Sequence, residues 1–139
     1  MLRPLPIASV NHLARETSRV DAMLAFYRDV LGFRQIWRPA FGFRGAWLAN
    51  YGIQIHLIEG EADDASPEID TRTDHVAFHT DDIDEVIRRL EENGIPHRVN
   101  DVPQTKVKQV FFHDPDGNHI EVGTYPPARE IVDSTPPPQ

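Results

Sequence analysis

The stretch Thr73–Val86, TDHVAFHTDDIDEV, decides the fold, because the chain has already written its pattern once, as Val10–Met23, VNHLARETSRVDAM. Both copies set a histidine after a polar or acidic residue, Asn11-His12 and Asp74-His75. Each histidine is followed at the same interval by a branched apolar residue and an aspartate, Val20-Asp21 and Ile83-Asp84. A pattern that returns at a fixed offset marks an internal duplication, and each copy is then one supersecondary unit.

Outward from the repeat, VDAMLAFYRDVL (Val20–Leu31) places Val20, Met23, Leu24, Tyr27, Val30 and Leu31 on one helical stripe. IDEVIRRLEENG repeats the stripe with Ile83, Val86, Ile87 and Leu90, and its charged residues suit a solvated face. Ser18 and Asp81 stand where helix caps are expected, with Asp21 and Asp84 in the first turns; Gly32 and Gly94 stand where the helices should stop. Strand-like segments follow each helix, at about residues 34–38, 44–49 and 53–58, and again at about 97–101, 108–113 and 119–124. A strand carrying the head histidine precedes each helix. The expected fold is therefore α+β, two tandem βαβββ modules in one domain spanning residues 1–139. Module one covers about residues 7–58 and module two about 74–125. An acidic linker at 59–73 separates them, and a proline-rich tail at 126–139, expected to be mobile, follows. The turns ANYG and DPDG lead into the last strand of each module. DPDG lacks the further acidic residues of a calcium loop and reads as a tight turn.

Alignment of the two modules equates GIQIH (Gly52–His56) with GNHIE (Gly117–Glu121), so His56 and Glu121 take equivalent places, as His12 and His75 do. The duplication thus selects three imidazoles and a carboxylate, all able to bind divalent metals. A strand histidine is often satisfied by a backbone carbonyl, and Glu121 could face solvent from an edge strand. The repetition, and the apolar company of Glu121 in HIEVG, favour the ligand reading. His56 alternates with Ile55 and Leu57 and so shares a side with Gln54 and Ile58.

FYRDVLGFR (Phe26–Arg34) and FFHDPDGNHIEV (Phe111–Val122) resemble the two hallmark segments of the vicinal oxygen chelate superfamily, which includes glyoxalase I, fosfomycin-resistance and bleomycin-binding proteins and extradiol dioxygenases. The resemblance runs from about Val10 to Tyr125, and FRGAWL with GIQIHL is similar to small glyoxalase-like members. It implies curved mixed sheets around a metal-binding cavity, with first and last strands of a module side by side, so that His12 meets His56 and His75 meets Glu121. It also implies a divalent ion (zinc, nickel, cobalt, manganese or iron) on His12, His75 and Glu121, with His56 at a variable fourth position. Glyoxalase I usually has glutamate there, tied to proton transfer. Glu121, or His56 if it is not a ligand, is the expected base. The implied activity is a metal-dependent lyase or isomerase on a small oxygen-chelating substrate. An iron(II) extradiol-type dioxygenase and a non-catalytic small-molecule binder are the alternatives. A homodimer is also implied.

The remaining histidines invite blander readings. His79 is too far along its strand to share an ion with His75, His119 is expected at the surface near a turn, His113 reads as structural, and His97 shows no pattern. In WRPAFGFRGAW (Trp37–Trp47), Phe41 and Phe43 could form an apolar substrate wall, and Arg38 and Arg44 could hold an anion. Core packing of a hairpin is the competing reading. No nucleophile motif or phosphate loop is present. With no cysteine, any metal must sit on nitrogen and oxygen. The net charge of −8 argues against nucleic acid as the main partner. The lack of a long apolar run argues against a membrane span, and the cytoplasm is the expected location.

Overall fold

The computed structural model describes residues 3–61, 66–102 and 106–125. The tail from Pro126 onward, expected to be mobile, lies outside the described residues. The chain divides into two compact units, Met1–Ala65 with Asp114–Asp116, and Ser66–His113 with Gly117–Gln139. Each has the expected order. In unit 1, β1 (His12–Thr17) leads to α1 (Val20–Ala25), whose end continues as a π-helical turn (Phe26–Val30), then β2 (Arg34–Ile36), β3 (Gly45–Asn50) and β4 (Ile53–Glu59). In unit 2, β5 (His75–His79) leads to α2 (Ile83–Glu92), β6 (His97–Asp101), β7 (Lys108–His113) and β8 (His119–Gly123). The sheets run β1-β4-β3-β2 and β5-β8-β7-β6, each with one parallel pair, first strand against last, and antiparallel pairs elsewhere.

Strand alternation gives each sheet a helix-covered face and a chemical face. In unit 1, Ala46, Leu48, Ile55 and Leu57 are buried, as are Val20, Met23 and Tyr27 of the helical segment, and α1 packs on β3 and β4. In unit 2, Val110, Phe112, Ile120 and Val122 are buried with Ile83 and Leu90 of α2, which packs on β7 and β8. Each buried Val, Leu, Ile, Met or Phe side chain among them contributes roughly 1.5–3 kcal/mol. The opposite faces carry His12, Trp47 and His56 in unit 1, and His75, Gln109, Phe111 and Glu121 in unit 2.

Local boundaries depart from the sequence reading at three points. First, α1 starts after Arg19, which makes no side-chain cap, and Ser18 does not serve; the buried Thr17 hydroxyl accepts the Arg19 N–H instead (2.9 Å). Second, Asp82 rather than Asp81 caps α2, since it directly precedes Ile83, and accepts Glu85 N–H at 3.1 Å, while Asp81 pairs with His79 (2.8 Å). Third, the first helix is not α-helical to its end: Leu31 N–H reaches Phe26 O, a wider turn. Gly32 then takes φ +80° and ends the helix as expected. The ANYG turn is a two-residue hairpin with Tyr51 and Gly52 both at positive φ (53° and 79°). Among the described residues no helix is long and apolar enough to cross a membrane.

Candidate functional site

The two head histidines occupy the same place in their units, the first residue of β1 and of β5. Parallel pairing aligns His12 with Gln54 and His75 with His119, so His56 and Glu121 each stand two residues further along the adjacent strand. The equivalence read from the sequence is thus an equivalence of register.

In unit 1 the pairing brings the rings of His12 and His56 into a parallel stack, 4.0 Å between centroids and 11° between planes. Trp47, directly across β3 from His56, covers its other face at 4.1 Å and 8°. His56 is therefore the middle layer of a three-ring sandwich. Its Nε2–H donates to Gln54 Oε1 (2.8 Å), which leaves Nδ1 with its lone pair. Burial, and then the nearby His12 charge, hold the His56 pKa below the usual imidazole value, so the ring is neutral at neutral pH. His12 is fixed through Nδ1 to Asn11 Oδ1 (2.8 Å), leaving its Nε2 open.

Unit 2 builds a different pair. His75 Nδ1–H donates to Thr73 O at 2.7 Å, which sets the tautomer and leaves the Nε2 lone pair outward. That nitrogen is 3.8 Å from Glu121 Oε1. Glu121 is only 4% exposed, because β8 lies between β5 and β7 and is not an edge strand. Its other oxygen, Oε2, accepts from the Tyr125 hydroxyl at 2.5 Å. Phe111 lies opposite Glu121 on β7 and presents its ring edge-on to His75.

The donor chemistry of this pair fits a divalent cation. Two bonds of about 2.1 Å at a tetrahedral angle span roughly 3.4 Å between donors, so a small closing of 3.8 Å suffices. Each donor is also steadied by a partner at its far atom, the arrangement that orients metal ligands. In neither unit do the described residues gather three or more His, Asp or Glu around one point. Within unit 1, the lone pairs of two parallel imidazoles lie in parallel planes, so a shared ion requires one ring to turn.

Among the expected wall residues, Arg38 donates to Phe43 O (3.1 Å), and its guanidinium lies over the rings of Phe41 (4.8 Å) and Phe43 (5.0 Å). Phe41 stacks on Phe43 and leans on Trp47. Arg44 points elsewhere and pairs with Asp21 at 2.8 Å on the exposed surface. His79 accepts Tyr125 N–H through Nδ1 (3.0 Å) and lies beyond the His75–Glu121 pair, as expected. His119 is not at the surface: it is 8% exposed, accepts Asp70 N–H at 3.0 Å and meets His113 Nε2 at 3.1 Å. The reason is again the interior position of β8. His97 turns to Ile95 O (2.9 Å). Sequence reasoning missed Trp47 as the backing of His56, although the register Trp47–His56 and Phe111–Glu121 gives both last-strand donors an aromatic residue directly opposite. It also missed Tyr125, which stood at the edge of the tail.

Comparison with known proteins agrees with this fold. The family model described as Glyoxalase/Bleomycin resistance protein/Dioxygenase superfamily matches residues 9–122. "Glyoxylase I 4" of Arabidopsis thaliana is 38% identical over 125 residues, covering 86% of this chain and 72% of its own. The uncharacterized protein YaeR of Escherichia coli (strain K12) is 32% identical over 127 residues, covering 85% and 97%. Among solved structures, lactoylglutathione lyase from Agrobacterium tumefaciens superposes with a TM-score of 0.65 at 26% identity, covering 86% and 96%. The duplicated βαβββ frame and these matches together make the chain a member of the glyoxalase/bleomycin resistance/dioxygenase superfamily.

Proposed function

We propose that the chain is a metal-dependent lyase or isomerase of the glyoxalase I kind, acting on a small substrate that presents adjacent oxygens. The observation that carries the reading is the His75–Glu121 pair, two free donor atoms 3.8 Å apart, each anchored from behind. His12 and Glu121, with His75, would hold the divalent ion, and His56 would supply a fourth donor if its ring leaves the stack. The donors would serve one ion within a chain or across a homodimer. A 38% identical plant relative called a glyoxylase and a lactoylglutathione lyase of the same fold support the reaction class. A bound cation supplies Lewis acidity that stabilises negative charge on a substrate oxygen.

The chain's own residues do the rest. Glu121 is a buried carboxylate with one oxygen held by Tyr125; its other oxygen, Oε1, is suited to receive a carbon-bound proton whenever it is not engaged as a ligand. His56, neutral and with Nδ1 free, is the second group able to do so. Arg38, with no carboxylate partner among the described residues, would meet an anionic group of the substrate while Phe41 and Phe43 cover its apolar part. Arg44, engaged by Asp21, would add a weaker long-range attraction. Such a protein, without cysteine and with a net charge of −8, suits the cytoplasm and a small-molecule rather than nucleic-acid partner.

Elemental analysis of untagged protein, followed by a hemithioacetal assay with zinc, nickel and cobalt, tests the proposal. One equivalent of metal and metal-dependent turnover are expected. Metal-free protein that gains no activity with any of the three overturns it. Iron dependence with oxygen uptake on catechols would assign the dioxygenase reading instead, and ligand binding indifferent to chelator would assign the binder. His56→Glu is expected to raise hemithioacetal turnover, since it restores the carboxylate that glyoxalase I-like sites carry at that place.

A further inference from the structure

We propose that Tyr125 is a positioning residue for Glu121, the end of a one-way hydrogen-bond relay, Asn100 to Gln109 to Tyr125 to Glu121, that fixes which carboxylate oxygen is left facing His75. The inference rests on the metal reading of Glu121 given above. Its distances are 2.7 Å from Asn100 Nδ2 to Gln109 Oε1, 2.8 Å from Gln109 Nε2 to the Tyr125 hydroxyl, and 2.5 Å from that hydroxyl to Glu121 Oε2.

The direction of the relay is forced from its acidic end. A carboxylate only accepts, so the Tyr125 hydroxyl must spend its single proton on Glu121. The hydroxyl can then only accept from Gln109, which turns the Gln109 amide nitrogen toward it. The Gln109 oxygen is left for Asn100, whose amide nitrogen must donate. Three dipoles therefore point the same way, toward the carboxylate, and reinforce one another.

The tyrosine is seated as well as bonded. Its backbone N–H donates to His79 Nδ1 at 3.0 Å, and His79 in turn donates through Nε2 to Asp81 (2.8 Å), a tautomer that satisfies both contacts. Its ring folds back over Gly123, where a Cβ would lie 2.6 Å from Tyr125 Cε2. Gly123 is the last residue of β8 and pairs with His79 and Gln109, the two residues that hold Tyr125. The glycine is thus the one place on that row where the ring can lie flat. Module one has no counterpart: continuing the strand registers, the positions equivalent to Asn100, Gln109 and Tyr125 hold Arg38, Gly45 and Gly60. The relay belongs to the carboxylate half alone. A residue that merely anchored the end of β8 would not need a hydroxyl aimed at a buried acid.

Tyr125→Phe keeps the ring in its seat and deletes only the hydroxyl, the donor to Glu121 and the acceptor for Gln109. In metal-free, isotope-labelled full-length protein, the Glu121 carboxylate carbon and the Gln109 side-chain amide resonances are expected to move in Tyr125→Phe. The Glu121 signal should move less in Gln109→Leu. Cobalt affinity, measured by competition, is expected to fall about tenfold or more in Tyr125→Phe, the usual cost of losing a ligand's outer partner. Circular dichroism and wild-type-like melting confirm the fold, with Gln109→Leu as the second variant if Tyr125→Phe does not fold. Unmoved Glu121 and Gln109 resonances overturn the relay. Moved resonances with equal cobalt affinity in wild type and Tyr125→Phe overturn the positioning role. Moved resonances in a wild-type protein that takes up no cobalt overturn the metal reading while supporting the relay as the device that orients this carboxylate.

Discussion

Tyr27→Phe is the sharpest stability test of the packing that supports the site. Tyr27 is 1% exposed, and its hydroxyl donates at 3.0 Å to Oδ2 of Asp114, itself buried at the start of the turn between β7 and β8. Deleting the hydroxyl keeps the ring and its edge contacts with Phe26 and Phe33, so the apolar term barely changes. What is lost is chiefly a hydrogen bond to a charged acceptor, about 1.5–3 kcal/mol, together with the contact of Arg15 to the same hydroxyl, less the small relief of no longer burying a hydroxyl. We expect a loss of about 2 kcal/mol, read as a fall of several degrees in Tm for a domain of this size. The same contact has an alkaline signature. Burial, and then the charge and hydrogen bond of Asp114, push the Tyr27 phenol well above the ordinary tyrosine range. A folded-state pKa above the unfolded value of about 10 means the unfolded chain ionises first. The Tyr27 contribution is complete below pH 10 and is lost as pH rises toward the folded value. The wild type should therefore lose stability above pH 10 more steeply than Tyr27→Phe in urea unfolding series. A variant within about 0.5 kcal/mol of wild type at pH 7, or equal alkaline slopes, would refute the reasoning.

Other outcomes follow from single contacts. Trp47→Ala uncovers one face of His56 and should cost about 2 kcal/mol, with Trp47→Phe recovering most of it; equal losses in chemical unfolding would deny the stack its role. Gly52→Ala introduces a side chain into open space at φ +79°, so its cost should be backbone strain alone, about 1 kcal/mol, and a neutral result by thermal melting would count against that turn geometry. Arg38→Gln should raise KM for an anionic substrate about tenfold while leaving kcat nearly unchanged, whereas Arg44→Gln should move KM little; the reverse order in steady-state kinetics would reassign the anion contact. His75→Ala should abolish stoichiometric metal uptake in elemental analysis, since it removes one of the two donors in the unit 2 pair.

Much of the frame was legible because duplication doubles every weak signal. The helix stripes of Val20–Leu31 and Ile83–Leu90 are readable from period alone, and the aligned glycines Gly52 and Gly117 are enough to equate His56 with Glu121, an equivalence the strand registers share. Boundaries were less legible. The choice between Asp81 and Asp82 as cap turns on a one-residue difference in where the helix starts, which two adjacent aspartates leave open in the sequence. His119 was misplaced for a different reason. Proximity to a turn suggests exposure, but strand order places β8 inside its sheet, and order is not written in any local pattern. Trp47 and Tyr125 were missed because their roles are cross-strand. Trp47 matters through its register partner, and Tyr125 through a ring that returns over Gly123.

The two halves share a frame yet have diverged in how they hold their last-strand donor, and the divergence follows from charge. An imidazole at His56 is neutral in its sandwich and needs only ring contacts and one acceptor, which Trp47, His12 and Gln54 provide. A carboxylate at the equivalent place cannot be stacked into neutrality. Buried at 4% exposure, Glu121 needs a donor, and the Tyr125 hydroxyl supplies one. That requirement accounts for features with no partner in the first module: a glycine at the end of β8, an amide pair across β6 and β7, and a tyrosine just beyond the sheet. Exchanging the two donors, His56→Glu together with Glu121→His, therefore should not give an equivalent protein. The carboxylate would enter an aromatic sandwich with no relay behind it, while the imidazole would strand the Tyr125 proton against a ring. Because the stack and the relay each serve their own donor, each single exchange should lower stability and the two losses should add in the double variant. A double variant as stable as wild type in urea unfolding would mean that the halves are interchangeable and that the asymmetry carries no energy.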